Sequence, residues 1–128
     1  MTSRWWPAIV ITSAILTLSL VPIGGGGAVS SVSGGSIAGV GFDKLLHVVD
    51  YAVLALTLLY ATRARTVRAC LVAFAGAVLL GGAIELLQGP VPTRQRSVFD
   101  AVANTVGAAV ATGGWWFVRA TRRRTRSD

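Results

Sequence analysis

The chain has 128 residues, 53% of them hydrophobic and only 13% charged, with a mean hydropathy of +0.65. A water-soluble domain carries about 25% charged residues, so the composition sets aside an ordinary soluble core and points to one small integral membrane bundle. The net charge of +7 is no nucleic-acid signal: five of the twelve basic residues sit in the last ten positions, and basic residues beside apolar runs set membrane orientation.

Residues 5–23 form the first apolar run, from Trp5 to Ile23. At 1.5 Å per residue such a run reaches about 28 Å, enough for the hydrocarbon core. Arg4 precedes it, and Trp5 and Trp6 suit an interfacial belt. A secretory signal is the rival reading, but the run exceeds the usual 7–15 residues of a signal's apolar region, so domain 1–23 reads as an uncleaved first transmembrane helix. Residues 24–41 are rich in Gly and Ser and carry no charge. They read as a flexible external loop, because Gly24 to Gly27 continue a helix only at a cost of about 1 kcal/mol each. No Lys-Ser or Lys-Thr follows at the spacing of a phosphate-binding loop.

Asp43 to about Thr62 reads as the second helix, and Arg63, Arg65 and Arg68 mark a short link. The third helix is expected from about Val67 to Gln88, where Gly89-Pro90 stops it. Gly76, Gly81 and Gly82 offer places for neighbours to approach closely. The single cysteine, Cys70, rules out an intramolecular disulfide and a multi-cysteine metal site, and it lies at the far end of this helix from the polar residues Glu85 and Gln88. The fourth helix is expected from about Val98 to Val118, with Asp100, Asn104, Gly107, Ala111 and Gly114 along one narrow face. Trp115, Trp116 and Phe117 form an exit belt, and residues 119–128 read as a mobile basic cytoplasmic tail.

Arginine placement sets the topology. The link from Arg63 to Arg68 and the tail from Arg119 to Arg126 lie on one side if two helices separate them, and both are arginine-rich, so that side is cytoplasmic. The expected fold is therefore an all-α bundle of four transmembrane helices, with both termini inside, in the plasma membrane. Arg94 and Arg96 then fall in an external link, against the usual bias, which marks them for a role other than orientation.

This topology gathers the ionisable residues at one membrane face. Such groups cost about 2.5–3.5 kcal/mol each at mid-bilayer, so they call for partners and a purpose. Asp43, His47 and Asp50 fall within roughly 60° of one another on a helical projection. Glu85 and Gln88 sit at the outer end of the third helix, and Asp100 and Asn104 near the outer start of the fourth, beside Arg94 and Arg96. His47 reads as a general base, a metal ligand or a hydrogen-bonded packing residue. Asp43 and Asp100 read as ligands or bases, or as ion-pair partners of Lys44, Arg94 or Arg96; Asp100 also suits a helix N-terminus. Glu85 either joins the cluster or reaches for the interface. Asn104 suits a hydrogen bond between helices, and Tyr51 the edge of the site or an interfacial belt. Arg94 is the best-placed contact for a phosphate or carboxylate, because guanidinium binds either in a bidentate fashion. A lipid-headgroup anchor is its plainer reading.

The pattern Asp43-Lys44-x-x-His47-x-x-x-Tyr51, then Glu85-x-x-Gln88, then Pro92-x-Arg94, then Asp100-x-x-x-Asn104-x-x-Gly107 resembles the VanZ-like family. The resemblance covers residues 42–114 and makes 42–118 a VanZ-like three-helix core; Asp50 departs from it. It implies a small multi-pass protein of the cell envelope, of the kind whose founding member is associated with teicoplanin resistance, without naming a reaction.

Three functions follow as expectations. The first is a binding module for an anionic amphiphile, such as a lipid phosphate, a lipid-linked envelope precursor or a lipoglycopeptide. Its outer-leaflet pocket would be built from Asp43, Lys44, His47, Tyr51, Glu85, Gln88, Arg94, Arg96, Asp100 and Asn104. The second is a metal-assisted hydrolase or transferase acting on lipid phosphates. Here His47, Asp43, Glu85 and Asp100 would hold Mg or Mn, and water would attack because no Ser or Cys stands among them. The third is a structural subunit whose polar residues merely pin the helices. A transport path would need more than four helices, which leaves oligomerisation open.

Overall fold

The computed structural model describes residues 4–20, 36–37, 40–88 and 98–125. In chain order the elements are α1 (Trp6–Leu20), strands β1 (Ser36–Ile37) and β2 (Val40–Gly41), and helices α2 (Phe42–Ala61), α3 (Val67–Gln88) and α4 (Val98–Arg124). Among the described residues the protein is thus mainly helical, with four helices. Two of them, over Lys44–Ala61 and Val67–Leu87, are long and apolar enough to cross a membrane. α1 has 15 described residues, about 22 Å by helical rise; positions 21–23 of the first apolar run lie outside the described residues.

Two boundaries differ from the sequence reading. The stretch 24–41 was expected to be loop throughout, but β1 and β2 pair antiparallel, Ser36 opposite Gly41 and Ile37 opposite Val40. Ile37 and Val40 are β-branched and favour the extended backbone, and β2 runs directly into α2. The fourth helix does not stop at Val118 but continues to Arg124. Hydropathy ends where the apolar run ends; helical geometry need not. Arginine is a good helix former, and cations are favoured at a helix C-terminus.

The link between α2 and α3 is tight. Arg63 takes a left-handed backbone, φ 50°. The Arg63 amide donates to the Tyr60 carbonyl at 3.2 Å and the Ala64 amide to the Leu59 carbonyl at 3.0 Å. That pair of bonds is a Schellman cap, which satisfies carbonyls the helix would otherwise orphan. One step on, the Thr66 hydroxyl accepts from the Ala69 amide at 3.2 Å and caps the start of α3. Two helices 20 and 22 residues long are therefore turned back on each other within five residues.

α2 makes its most extensive contact with α4, and α3 packs on both. α1 lies against α2 and α3 and adds Ile15 to the core. The buried positions are mostly small: Ala55, Ala77, Ala108 and Ala111 around Tyr51, Leu54 and Ile84 in one cluster, and Ala64, Cys70 and Ala73 around Leu59 in a second. Large apolar side chains point outward instead, among them Leu71, Val72, Leu79 and Leu86 on α3 and Val98, Phe99, Val102 and Val110 on α4. A soluble bundle distributes its residues the other way round. In each of the two long apolar segments 28% is buried.

At one point the helices nearly touch backbone to backbone. A Cβ placed on Gly107 of α4 would lie 2.1 Å from the carbonyl oxygen of Val48 in α2. No residue but glycine fits there.

Candidate functional site

α2, α3 and α4 bring their polar ends together. Lys44 and His47 are in the first turns of α2, Glu85 is in the last turn of α3, and Asp100 and Asn104 are in the first two turns of α4. The Gly107 crossing sits one turn beyond Asn104 and fixes how far α4 slides along α2. That register sets Asp100 opposite Lys44 and Asn104 opposite His47.

The Lys44 ammonium donates to Asp100 Oδ1 at 2.5 Å, with the two side chains 27% and 16% exposed. Lys44 is thus a partner of Asp100, as the sequence offered; Arg94 and Arg96, also offered, lie outside the described residues. The ring of His47 meets Asn104 through Nδ1 and Oδ1 at 3.0 Å. A carbonyl oxygen only accepts, so Nδ1 carries the proton in this bond. His47 Nε2 then faces Asp100 Oδ2 across 3.7 Å, too long for a hydrogen bond. One ligand atom each from His47, Glu85 and Asp100 can be chosen so that all lie within 4.8 Å of one another. All three residues are half-buried.

Asn104 and Tyr51 belong to the core below this group. Asn104 is 3% exposed and Tyr51 2% exposed. A Cβ on Gly81 would lie 2.8 Å from Tyr51 Cε1 and 3.3 Å from Asn104 Nδ2, so Gly81 of α3 makes room for both. Tyr51 is therefore a core residue beneath the site, where the sequence left it at the edge or in a belt. Asn104 Nδ2 is buried without a hydrogen-bond partner, a cost of about 1–3 kcal/mol. The His47 hydrogen bond offsets part of that cost. The helical projection also grouped Asp50 with Asp43 and His47. In the structure Asp50 is exposed while its neighbour Tyr51 fills the buried position, because α4 approaches α2 on the Tyr51 side.

The side chains of Asp43 and Gln88, and residues Arg94 and Arg96, lie outside what the structure describes. Gly81, which the sequence offered as a close-approach position, and Gly107, the last residue of the family-like pattern, are neighbours of the site. Their signal was the small-residue pattern of α3 and α4, which reads as packing until the partner atoms are known.

The opposite end of the bundle is basic. Arg4 Nη2 donates to the Tyr60 carbonyl at 2.7 Å, and its guanidinium lies 5.4 Å from the centre of the Tyr60 ring. The Trp115 indole donates to the Ala64 carbonyl at 3.0 Å, and Arg119 stacks over that indole at 4.6 Å. The start of α1, the α2–α3 link and the end of α4 thus share one end. The described acidic residues of the site hold the other.

No protein-family model matches the chain, and no curated protein or solved structure matches it.

Proposed function

We propose that the chain is a multi-pass plasma-membrane protein of the VanZ-like type that binds an anionic amphiphile at its extracytoplasmic face. It would cross the membrane four times with both termini in the cytoplasm. The two long apolar helices and the outward-facing Leu, Val and Phe side chains support a lipid surround, since large exposed apolar surface is rare on soluble monomers. Arg4, Arg65, Arg119 and Arg122 at one end agree with a cytoplasmic side.

The observation that carries the binding role is the meeting of Lys44, His47, Glu85 and Asp100 from three helices. Intramembrane ionisable groups mark a functional site by default. In this reading Lys44 and the arginines of the 89–97 link face the acidic head of the ligand, and the apolar outer faces of the helices hold its chains. Native mass spectrometry of the detergent-extracted protein tests it. The wild type is expected to retain a phosphate- or carboxylate-bearing lipid that Arg94→Ala loses; retention undiminished in Arg94→Ala would overturn the proposal.

One observation favours a second reading at the same place. With its Nδ1 proton held by Asn104, the uncharged form of the His47 ring would turn the lone pair of Nε2 toward a carboxylate oxygen. Two lone pairs facing each other across 3.7 Å repel unless a cation or proton stands between them. Two ligands about 2.1 Å from one metal ion are at most about 4.2 Å apart, so His47, Glu85 and Asp100 would close on an ion with small side-chain movements. One imidazole with two carboxylates suits Mn more than Mg, which prefers oxygen and water. Such an ion would polarise a lipid phosphate and supply the bound water that the hydrolase reading requires. Electron paramagnetic resonance of added Mn in the detergent-solubilised protein should then reveal a bound population. Asn104→Ala, which frees the His47 ring, should weaken it roughly 10- to 100-fold. Equal binding by wild type, His47→Ala and Asn104→Ala would remove the metal from consideration.

A further inference from the structure

At the basic end, a groove of about 890 Å³ lies between α2 and α4. Its walls are apolar, with Leu56 on one side and Val110 and Val118 on the other, and its rim carries Arg65, Arg119 and Arg122. Arg119 and Arg122 are three apart on α4 and share a face. The Trp115 indole, bonded to the Ala64 carbonyl, brings the residue after Ala64, Arg65, to the same rim. The groove is open at its middle because of Gly114: a Cβ there would meet nothing within 4 Å. The polar cluster described above uses none of these residues.

We propose that this groove is a second binding site, for an anionic phospholipid of the leaflet on the arginine side. The proposal rests on the membrane reading of the chain but not on the amphiphile or cation readings of the other end. An acyl chain would lie against Leu56, Val110 and Gly114, and the headgroup phosphate would meet the guanidinium groups. The occupant follows from charge and shape together. Guanidinium groups match phosphate oxygens in a bidentate fashion, and basic pockets between membrane helices on the cytoplasmic side suit anionic headgroups. A zwitterionic lipid would fill the apolar walls equally well but carries a cationic group to the same arginines.

Brominated-lipid quenching of Trp115 tests the site. The protein is reconstituted with Trp5, Trp6 and Trp116 changed to Phe, all three being exposed, into vesicles of phosphatidylcholine containing brominated phosphatidylglycerol or brominated phosphatidylcholine at equal mole fraction. Brominated phosphatidylglycerol should quench with an apparent association roughly tenfold stronger. Because a basic side chain that meets an anionic headgroup contributes up to roughly a fivefold preference, Arg119→Gln with Arg122→Gln should reduce it to about twofold or less. Gly114→Leu keeps every charge, fills the open groove, and should abolish the preference as well. Arg68→Gln, which removes a charge at the same end but outside the groove, should leave it unchanged. Equal quenching by both lipids, or a preference that survives Gly114→Leu, would overturn the site while leaving the membrane reading intact. Quenching by neither lipid would overturn both.

Discussion

Gly107→Ala should destabilise the protein by about 3 kcal/mol, at the upper end of what overpacking costs. The added methyl would sit 2.1 Å from the Val48 carbonyl oxygen, 2.9 Å from its carbonyl carbon and 3.0 Å from its Cα. The obstacle is backbone in the middle of a helix, so no rotamer change relieves it; α2 and α4 must separate along their whole shared face. Gly82→Ala and Gly113→Ala serve as controls. A Cβ at either meets nothing within 4 Å, and alanine is the better helix former by about 1 kcal/mol, so both should be neutral or stabilising. Unfolding in mixed micelles, followed by circular dichroism, measures all three. If Gly107→Ala unfolded like Gly82→Ala, the close crossing of α2 and α4 would be wrong, and with it the register that sets Asp100 opposite Lys44.

That register is where sequence reading ran out. The limits of α3 were legible, Val67 to Gln88, because an arginine-rich link bounds the apolar run on one side and Gly89-Pro90 on the other. The gathering of Lys44, His47, Glu85, Asp100 and Asn104 at one end was legible too, since each stands near the same end of its own helix once the chain turns back at Arg63 and again before Val98. Which side chain meets which was not. It depends on how far α4 slides along α2 and on its rotation, and both are set by a glycine contact with a backbone atom. The same rotation decides that Tyr51 is buried and Asp50 exposed, although the two are neighbours in sequence. The helical extension to Arg124 escaped for another reason: hydropathy reports the solvent around a helix rather than its hydrogen bonding. The two-residue strands beside Gly39 were hidden because composition there is dominated by Gly and Ser, and only two β-branched residues pair.

The polar cluster has a consistent internal logic once Gly107 fixes the crossing. Asp100 uses one oxygen for Lys44 and presents the other to His47, so it is shared between the Lys44 side chain and a ring that Asn104 orients. The small residues of α3 and α4 make this economical. Gly81 admits Tyr51 and Asn104, Gly107 admits Val48, and the site's floor is built from groups that bulkier helices would keep apart.

The second large effect concerns the Lys44–Asp100 pair. Asp100→Asn and Lys44→Met should each cost about 2–3 kcal/mol, somewhat less than the 3–5 kcal/mol for breaking a fully buried pair, because both side chains keep some exposure. The double variant should cost less than the sum, with a coupling of about 2 kcal/mol in a double-mutant cycle. A coupling below roughly 0.5 kcal/mol would be that of a solvated surface pair and would contradict the 2.5 Å contact as a structural element. Lys44→Met also separates the two functional readings, because it changes the charge of the site in one direction. Loss of the ammonium removes a contact for an acidic headgroup, so retention of an anionic amphiphile should fall. The same loss returns a full carboxylate to the side of His47 and Glu85, so Mn affinity should rise. If Lys44→Met weakened both amphiphile retention and Mn binding in a protein that still folds, the two ligands would be acting together, with the ion joining the carboxylates to the phosphate; a protein in which only one of the two ligands binds and responds to Lys44→Met would assign the cluster to that ligand.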